Sequence, residues 1–235
     1  MPRKKSTPQK NEPEPEQPRS RSRGCALLLC LVAVASGAWW VWQQLQDGSS
    51  YRGSLPEGTR IGIVAGHAGS DAGAICPDGL TEAEVNLDIA EGTVDRLRQA
   101  GAEVDLLNEF DDRLYGYQAA AFVSIHADSC EVDRSGFKVA RVGNSAVPEI
   151  EDRLVSCLWQ EYEKATNLEP DPSTITHDMV YYHAFNEIHT QTPGAIIEVG
   201  YLSGDRFLLT GRSDRAARGI AEGILCFLAP ASSAH

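Results

Sequence analysis

Positive charge is what this 235-residue chain has least of: 21 Lys and Arg stand against 33 Asp and Glu, for a formal net charge of −12. Seven of those basic residues crowd into residues 1–23 beside three glutamates, a segment of +4 that leaves −16 for everything after it. A body of that sign gains nothing from long-range attraction to a polyanion. The six cysteines include no closely spaced pair, which argues against a Cys-ligated zinc of the finger type. No internal repeat or second domain is legible. Only one long uncharged apolar run occurs, at residues 24–42.

What is present at the N-terminus follows from those absences. Residues 1–23 are rich in Pro, Lys, Arg, Glu and Ser, with almost nothing apolar to bury, and read as a disordered basic tail. An apolar run follows at once, so the tail reads as a topogenic flank and not as a nucleic-acid arm. Residues 24–42 are about long enough to span a bilayer, with the basic flank before them and Trp39, Trp40 and Trp42 at the far end. That order predicts a single-pass anchor with the N-terminus in the cytoplasm and the rest extracytoplasmic. A cleaved signal peptide is the alternative, because Ala33-Val34-Ala35 and Ser36-Gly37-Ala38 offer small-residue cleavage sites. Residues 43–58 read as a polar linker, 59–230 as one folded domain and 231–235 as a short tail.

Within 59–230 short apolar runs alternate with amphipathic stretches, which predicts an α/β domain: a largely parallel mixed sheet flanked by helices. Strands are expected at 61–64, 103–107, 122–125, 136–142 and 194–200, with a further one at 179–184. Helices are expected from Thr81 to Gly101, at 148–164, 205–210 and 213–227, with a loop at 167–176. Ala83, Leu87, Ala90, Val94 and Leu97 form the apolar stripe of the first helix. Cys76, Cys130, Cys157 and Cys226 lie beyond the apolar run. Their even count permits disulfides, with Cys76 and Cys130 able to meet near the site, and isolated buried thiols are the alternative.

Four side chains carry the chemistry. The first strand run breaks at Gly66-His67-Ala68-Gly69, which exposes a histidine at a strand end. The next helix opens at Thr81-Glu82-Ala83-Glu84, where Thr81 and Glu84 have capping-box spacing and leave Glu82 free. A third segment, Ser124-Ile125-His126-Ala127-Asp128, is another apolar run ending in histidine. A fourth, Ile196-Ile197-Glu198-Val199-Gly200, buries a glutamate, which is costly unless something pairs with it. Two histidines and a carboxylate suit zinc, and a further carboxylate suits a base. Each alone has a plainer reading: a loop histidine, a dipole-favoured acid, a core histidine, or a glutamate paired with Arg206 or Arg212.

Together, in this order and spacing over residues 60–228, the segments resemble the zinc-dependent N-acetylmuramoyl-L-alanine amidases of the type 3 family, which cut bacterial peptidoglycan. Gly66-His67-Ala68-Gly69 with Asp71 and Gly73-Ala74, Glu82, Ser124 to Ala127, and Glu198-Val199-Gly200-Tyr201-Leu202-Ser203 carry the resemblance. It implies a Zn2+ cofactor held by His67, Glu82 and His126, with Glu198 as general base and acid. Peptidoglycan is the implied partner, with the membrane engaged through residues 24–42; the sequence identifies no protein activator. Val64-Ala65 replace the family's Asp-Pro, Asp128 and Gly204 replace two Asn, and the Thr-Arg expected after the second strand is missing from 108–120. These departures bear on substrate contacts, for which Asp128 and His183 are the candidates; Asp71 is expected to brace the glycine-rich loop. Two other readings stand beside the amidase: a catalytically silent wall-binding or regulatory domain, and a zinc peptidase or deacetylase acting on another cell-wall bond.

Overall fold

A computed structural model of the chain describes residues 55–130 and 134–230. The expected basic tail, the apolar run at 24–42 and most of the linker lie outside them. Among the described residues no helix is long and apolar enough to cross a membrane.

Five strands form one sheet: β1 (Arg60–Ala65), β2 (Glu103–Leu107), β3 (Ala121–Asp128), β4 (Lys138–Ala140) and β5 (Gly194–Tyr201). Their order is β2-β1-β3-β5-β4, parallel throughout except for the antiparallel edge strand β4. Central strands run apolar without alternation because both faces are covered. Ile61, Ile63, Val123, Ile125, Ala195 and Ile197 join one core cluster. Val64, Phe122 and Ile196 join another, with Leu107, Leu114, Tyr117, Met179 and Tyr182. The first cluster is closed by three long helices: α1 (Glu82–Gln99), α2 (Pro148–Thr166) and, further on, the C-terminal helix at Ser213–Leu228. The second is closed by irregular chain and short turns.

Helix α1 starts where the capping box requires. The Thr81 hydroxyl accepts from the Glu84 amide, and Glu84 Oε2 accepts from the Thr81 amide at 3.1 Å. It ends in a Schellman turn at Gly101, whose φ of +93° suits glycine, with the Ala102 amide donating to Leu97. Its buried face, however, is Val85, Asn86, Ile89, Ala90, Thr93, Val94 and Leu97, and Leu87 is exposed. Ala90, Val94 and Leu97 of the expected stripe are on that face; Leu87 is not, and two polar residues, Asn86 and Thr93, sit there with hydrogen-bond partners.

Residues 179–184 are not a strand. Thr176 caps the short helix α3 (His177–Val180), and a 3₁₀ turn follows at His183–Asn186. Met179, Tyr182, Ala184 and Ile188 all face the second cluster, a spacing no flat strand supplies. Strand β4 is shorter than the expected 136–142, and α4 (Arg206–Gly211) precedes α5 (Ser213–Leu228). The four cysteines among the described residues form two disulfides: Cys76–Cys130, and Cys157–Cys226 between α2 and α5. Closing loops of 54 and 69 residues is worth about 4 kcal/mol each in the chain-entropy model.

Helices α2 and α5 touch backbone to backbone, which Gly219 and Gly223 permit. Alanine at Gly223 would gain about 0.8–1 kcal/mol of helix propensity. Its Cβ would stand 2.8 Å from Leu158 Cα, an overlap with backbone that must push the helices apart. Overpacking of this kind costs about 1–3 kcal/mol and outweighs the gain. Gly223→Ala is therefore expected to lower the urea midpoint with an unchanged slope; a raised midpoint would show that the two helices separate freely.

Candidate metal centre

The carboxyl ends of β1, β3 and β5 and the first turn of α1 converge at one place. His67 follows β1, in the left-handed region with φ of 64°. Such a backbone is strained for a residue with a side chain and persists only where contacts hold it. They are present: the His67 amide donates to Glu109 Oε2 at 2.8 Å, and its Nδ1 lies 2.7 Å from Asp71 Oδ1. Asp71 Oδ1 also accepts from the Gly73 amide at 2.7 Å, so Asp71 braces the loop as expected. With Nδ1 engaged there, His67 turns Nε2 inward.

Glycine is required on both sides of this histidine. A Cβ at Gly66 would fall 2.4 Å from the His126 ring, and one at Gly73 would fall 2.6 Å from Glu82 Oε2.

The inward atoms meet at Glu82, which is buried at the start of α1. Its Oε1 lies 3.3 Å from His67 Nε2 and 3.2 Å from His126 Nδ1. Asn86 Nδ2 donates to the same oxygen at 3.2 Å, and the Ala74 amide donates to Oε2 at 3.1 Å. Burial opposes ionisation of this carboxyl, but hydrogen bonds from His126 and His67 win and hold its pKa well below the usual range. The same hydrogen bond to Glu82 lifts His67 to about 9 against its partial burial. His126 is raised too: desolvation opposes the proton, while Glu82 and the neighbouring Glu198 and Glu109 charges favour it.

Three donor atoms within 4.8 Å of one another, two imidazole nitrogens and one carboxylate oxygen, form a group able to hold a metal ion. A tetrahedral ion with bonds of about 2.0–2.1 Å spaces its donors roughly 3.3–3.4 Å apart. Separations of 3.3 and 3.2 Å to Glu82 fit that spacing.

Glu198 stands beside His126 in the β3–β5 register. Its Oε2 is enclosed and has no hydrogen-bond partner. Burial, reinforced by the Glu82 and Asp128 carboxylates, pushes its pKa up to about 7, although His126 and Lys138 pull the other way. The plainer reading, a pair with Arg206 or Arg212, does not hold: Arg206 bonds Asp78, and Arg212 lies over the Phe207 ring.

A cleft of about 500 Å³ opens onto these groups, lined by His67, Glu109, His126 and Glu198 on the floor and by Tyr181, Tyr182 and His183 on the wall. His183 is thus at the site, and it bonds Glu109 Oε1 at 2.9 Å. Asp128 is turned to Lys138 Nζ at 2.5 Å, and Lys138 also donates to the Thr174 carbonyl at 3.0 Å. Neither Asp128 nor Lys138 lines the cleft.

Two participants escaped sequence reasoning. Glu109 is only 5% exposed at the end of β2, and Asn86 is fully buried under Glu82. Glu109 follows Asn108 at the place left open by the missing Thr-Arg, which was the one available signal.

Comparison with known proteins agrees with this geometry. The family model for N-acetylmuramoyl-L-alanine amidase matches residues 61–226. A Bacillus subtilis (strain 168) protein, the uncharacterized YqiI, is 29% identical over 189 residues, which span 72% of this chain and 84% of that protein. Among solved structures, the catalytic domain of CwlV, an N-acetylmuramoyl-L-alanine amidase from Bacillus (Paenibacillus) polymyxa var. colistinus, is 25% identical with a TM-score of 0.54. It covers 71% of this chain and 96% of that one. The CwlD amidase of Clostridioides difficile, solved with the GerS lipoprotein, shares the fold at 22% identity and a TM-score of 0.58, over 72% of this chain and 98% of its own. With the family model matched across nearly the whole domain and the His-Glu-His group assembled at its centre, this chain belongs to the N-acetylmuramoyl-L-alanine amidase family.

Proposed function

We propose that this protein hydrolyses the amide between the lactyl group of N-acetylmuramic acid and L-alanine in peptidoglycan, with zinc held by His67, Glu82 and His126. The observation that carries the reading is the convergence of two imidazole nitrogens on Glu82 Oε1 next to an unpartnered Glu198 oxygen in an open cleft. Zinc bound by three protein ligands supplies a Lewis acid that acidifies water and polarises the scissile carbonyl. Glu198 takes the proton from water as its oxygen joins the carbonyl carbon, then delivers it to the departing alanine nitrogen as the C–N bond breaks. A carboxyl lifted to about 7 suits both directions of that transfer. Tyr182 packs edge-on against the His126 ring and limits water on that side. His183, beside Tyr182 on the cleft wall, is the residue we assign to substrate contact, whereas Asp128 is committed to Lys138.

We further propose that residues 24–42 anchor the protein in the cell membrane, with the N-terminus cytoplasmic and the catalytic domain extracytoplasmic. The basic flank and the tryptophan cluster support that orientation. Full-length protein should sediment with membranes, and protease added outside should degrade its catalytic domain. A freely soluble mature form beginning near Trp39 would leave the cleaved signal peptide as the correct reading.

Mass spectrometry of digested peptidoglycan tests the bond. Intact free stem peptides are expected; shortened stems would mean a peptidase, deacetylated glycan a deacetylase, and no product a silent binder. Glu198→Gln should keep the fold and the metal yet lose turnover by about 10²–10⁴-fold. Near-native turnover in that variant would remove Glu198 from the proton transfer.

Two glutamates on one helical turn provide an internal control for the metal. Glu82→Gln should lower zinc content, since an amide oxygen is a poorer ligand than a carboxylate. Glu84→Gln should leave zinc content unchanged, because glutamine also completes a capping box. Zinc content that followed position 84 would contradict the ligand assignment.

A further inference from the structure

We propose that Glu109 is the positioning residue of the metal centre, a carboxylate whose one oxygen orients both histidine ligands and whose other oxygen ties them to the cleft wall. The inference rests on the metal-binding reading above and adds to it a residue that the resemblance does not assign.

His126 presents Nδ1 to Glu82, so its opposite edge carries Nε2. A neutral imidazole that gives Nδ1 to a cation holds its proton on Nε2. That nitrogen is enclosed and lacks a hydrogen-bond partner, and the Glu109 Oε2 carboxylate lies 3.7 Å away. A buried donor left unsatisfied is destabilising. Closing the gap by roughly half an ångström makes the hydrogen bond that histidine ligands ordinarily give to a carboxylate. Lining the cleft, Glu109 is the acid placed to accept from that edge.

The same Oε2 already accepts from the His67 amide at 2.8 Å, one of the contacts that holds that residue at positive φ. One atom therefore fixes the backbone of one ligand and faces the ring of the other. Oε1 is held by His183 Nε2 at 2.9 Å, and His183 Nδ1 lies 3.0 Å from Glu187 Oε1. Phe110 stacks on the His183 ring at 4.4 Å. The result is a continuous row, His126–Glu109–His183–Glu187, from the metal position to the rim. The Glu109 amide itself donates to Ala68, so the residue is pinned to the glycine-rich loop at both ends.

The test measures zinc affinity of the purified full-length protein by competition with a chromogenic chelator, and the visible absorption of the Co2+-substituted form. Glu109→Ala should bind zinc about 10–100-fold more weakly, and its Co2+ band should shift. Glu109→Gln keeps the volume and an acceptor oxygen; it should fold as the unaltered protein does and lose affinity by a smaller factor. Unchanged affinity and an unchanged Co2+ band in both variants would overturn the proposal, while loss of metal in His67→Ala would leave the metal centre itself standing. If the unaltered protein binds neither metal, the proposal falls together with the reading beneath it.

Discussion

A carboxylate with too many donors around it governs this structure. Glu82 Oε1 is approached by two imidazoles, the Asn86 amide and the Ala127 amide, all in a buried position. Bringing a charge into such a place is unfavourable without compensation, and the donors come from the loop after β1, from α1 itself and from the end of β3. The loop after β1, the start of α1 and the end of β3 are thereby obliged to meet. Glycines at 66 and 73 are the steric counterpart of the same demand, because any side chain there would occupy the space of His126 or Glu82.

The sheet makes the meeting reproducible. Parallel strands place the carboxyl ends of β1, β3 and β5 along one edge, so side chains far apart in sequence become neighbours through register alone. His126 and Glu198 are paired in that register, one step from ligand to base. Glu82 and Glu198 differ in character as a consequence. Glu82 is stabilised as an anion by the imidazoles, whereas Glu198 sits where burial and its acidic neighbours favour the proton. Two acids within one site thus play opposite parts, which is the division a metal ligand and a proton carrier need.

Much of this was legible beforehand. Glycine flanks His67, a capping box isolates Glu82, and apolar runs carry His126 and Glu198, so local rules sufficed for the four chemical residues and for the strands that bear them. What was not legible depended on tertiary contact. Asn86 and Thr93 look like surface residues of α1, and only the bonds they make across the buried face explain their place there. Tyr181 and Tyr182 suggest a strand, yet the chain there must turn to cover the second core and wall the cleft. Glu109 lies among ordinary loop residues and becomes important through a histidine 74 positions away. Cysteine pairing is likewise a fact of proximity, which spacing alone left open.

The Cys76–Cys130 bond joins the loop that carries His67 and leads to Glu82 with the chain just past His126. Such bonds form and last where thiols are not kept reduced. A copy confined to a reducing compartment would hold these segments together by hydrogen bonds alone, without the covalent strap. Assembly of the reaction centre is in this way coupled to the redox state of the surroundings in which the chain folds.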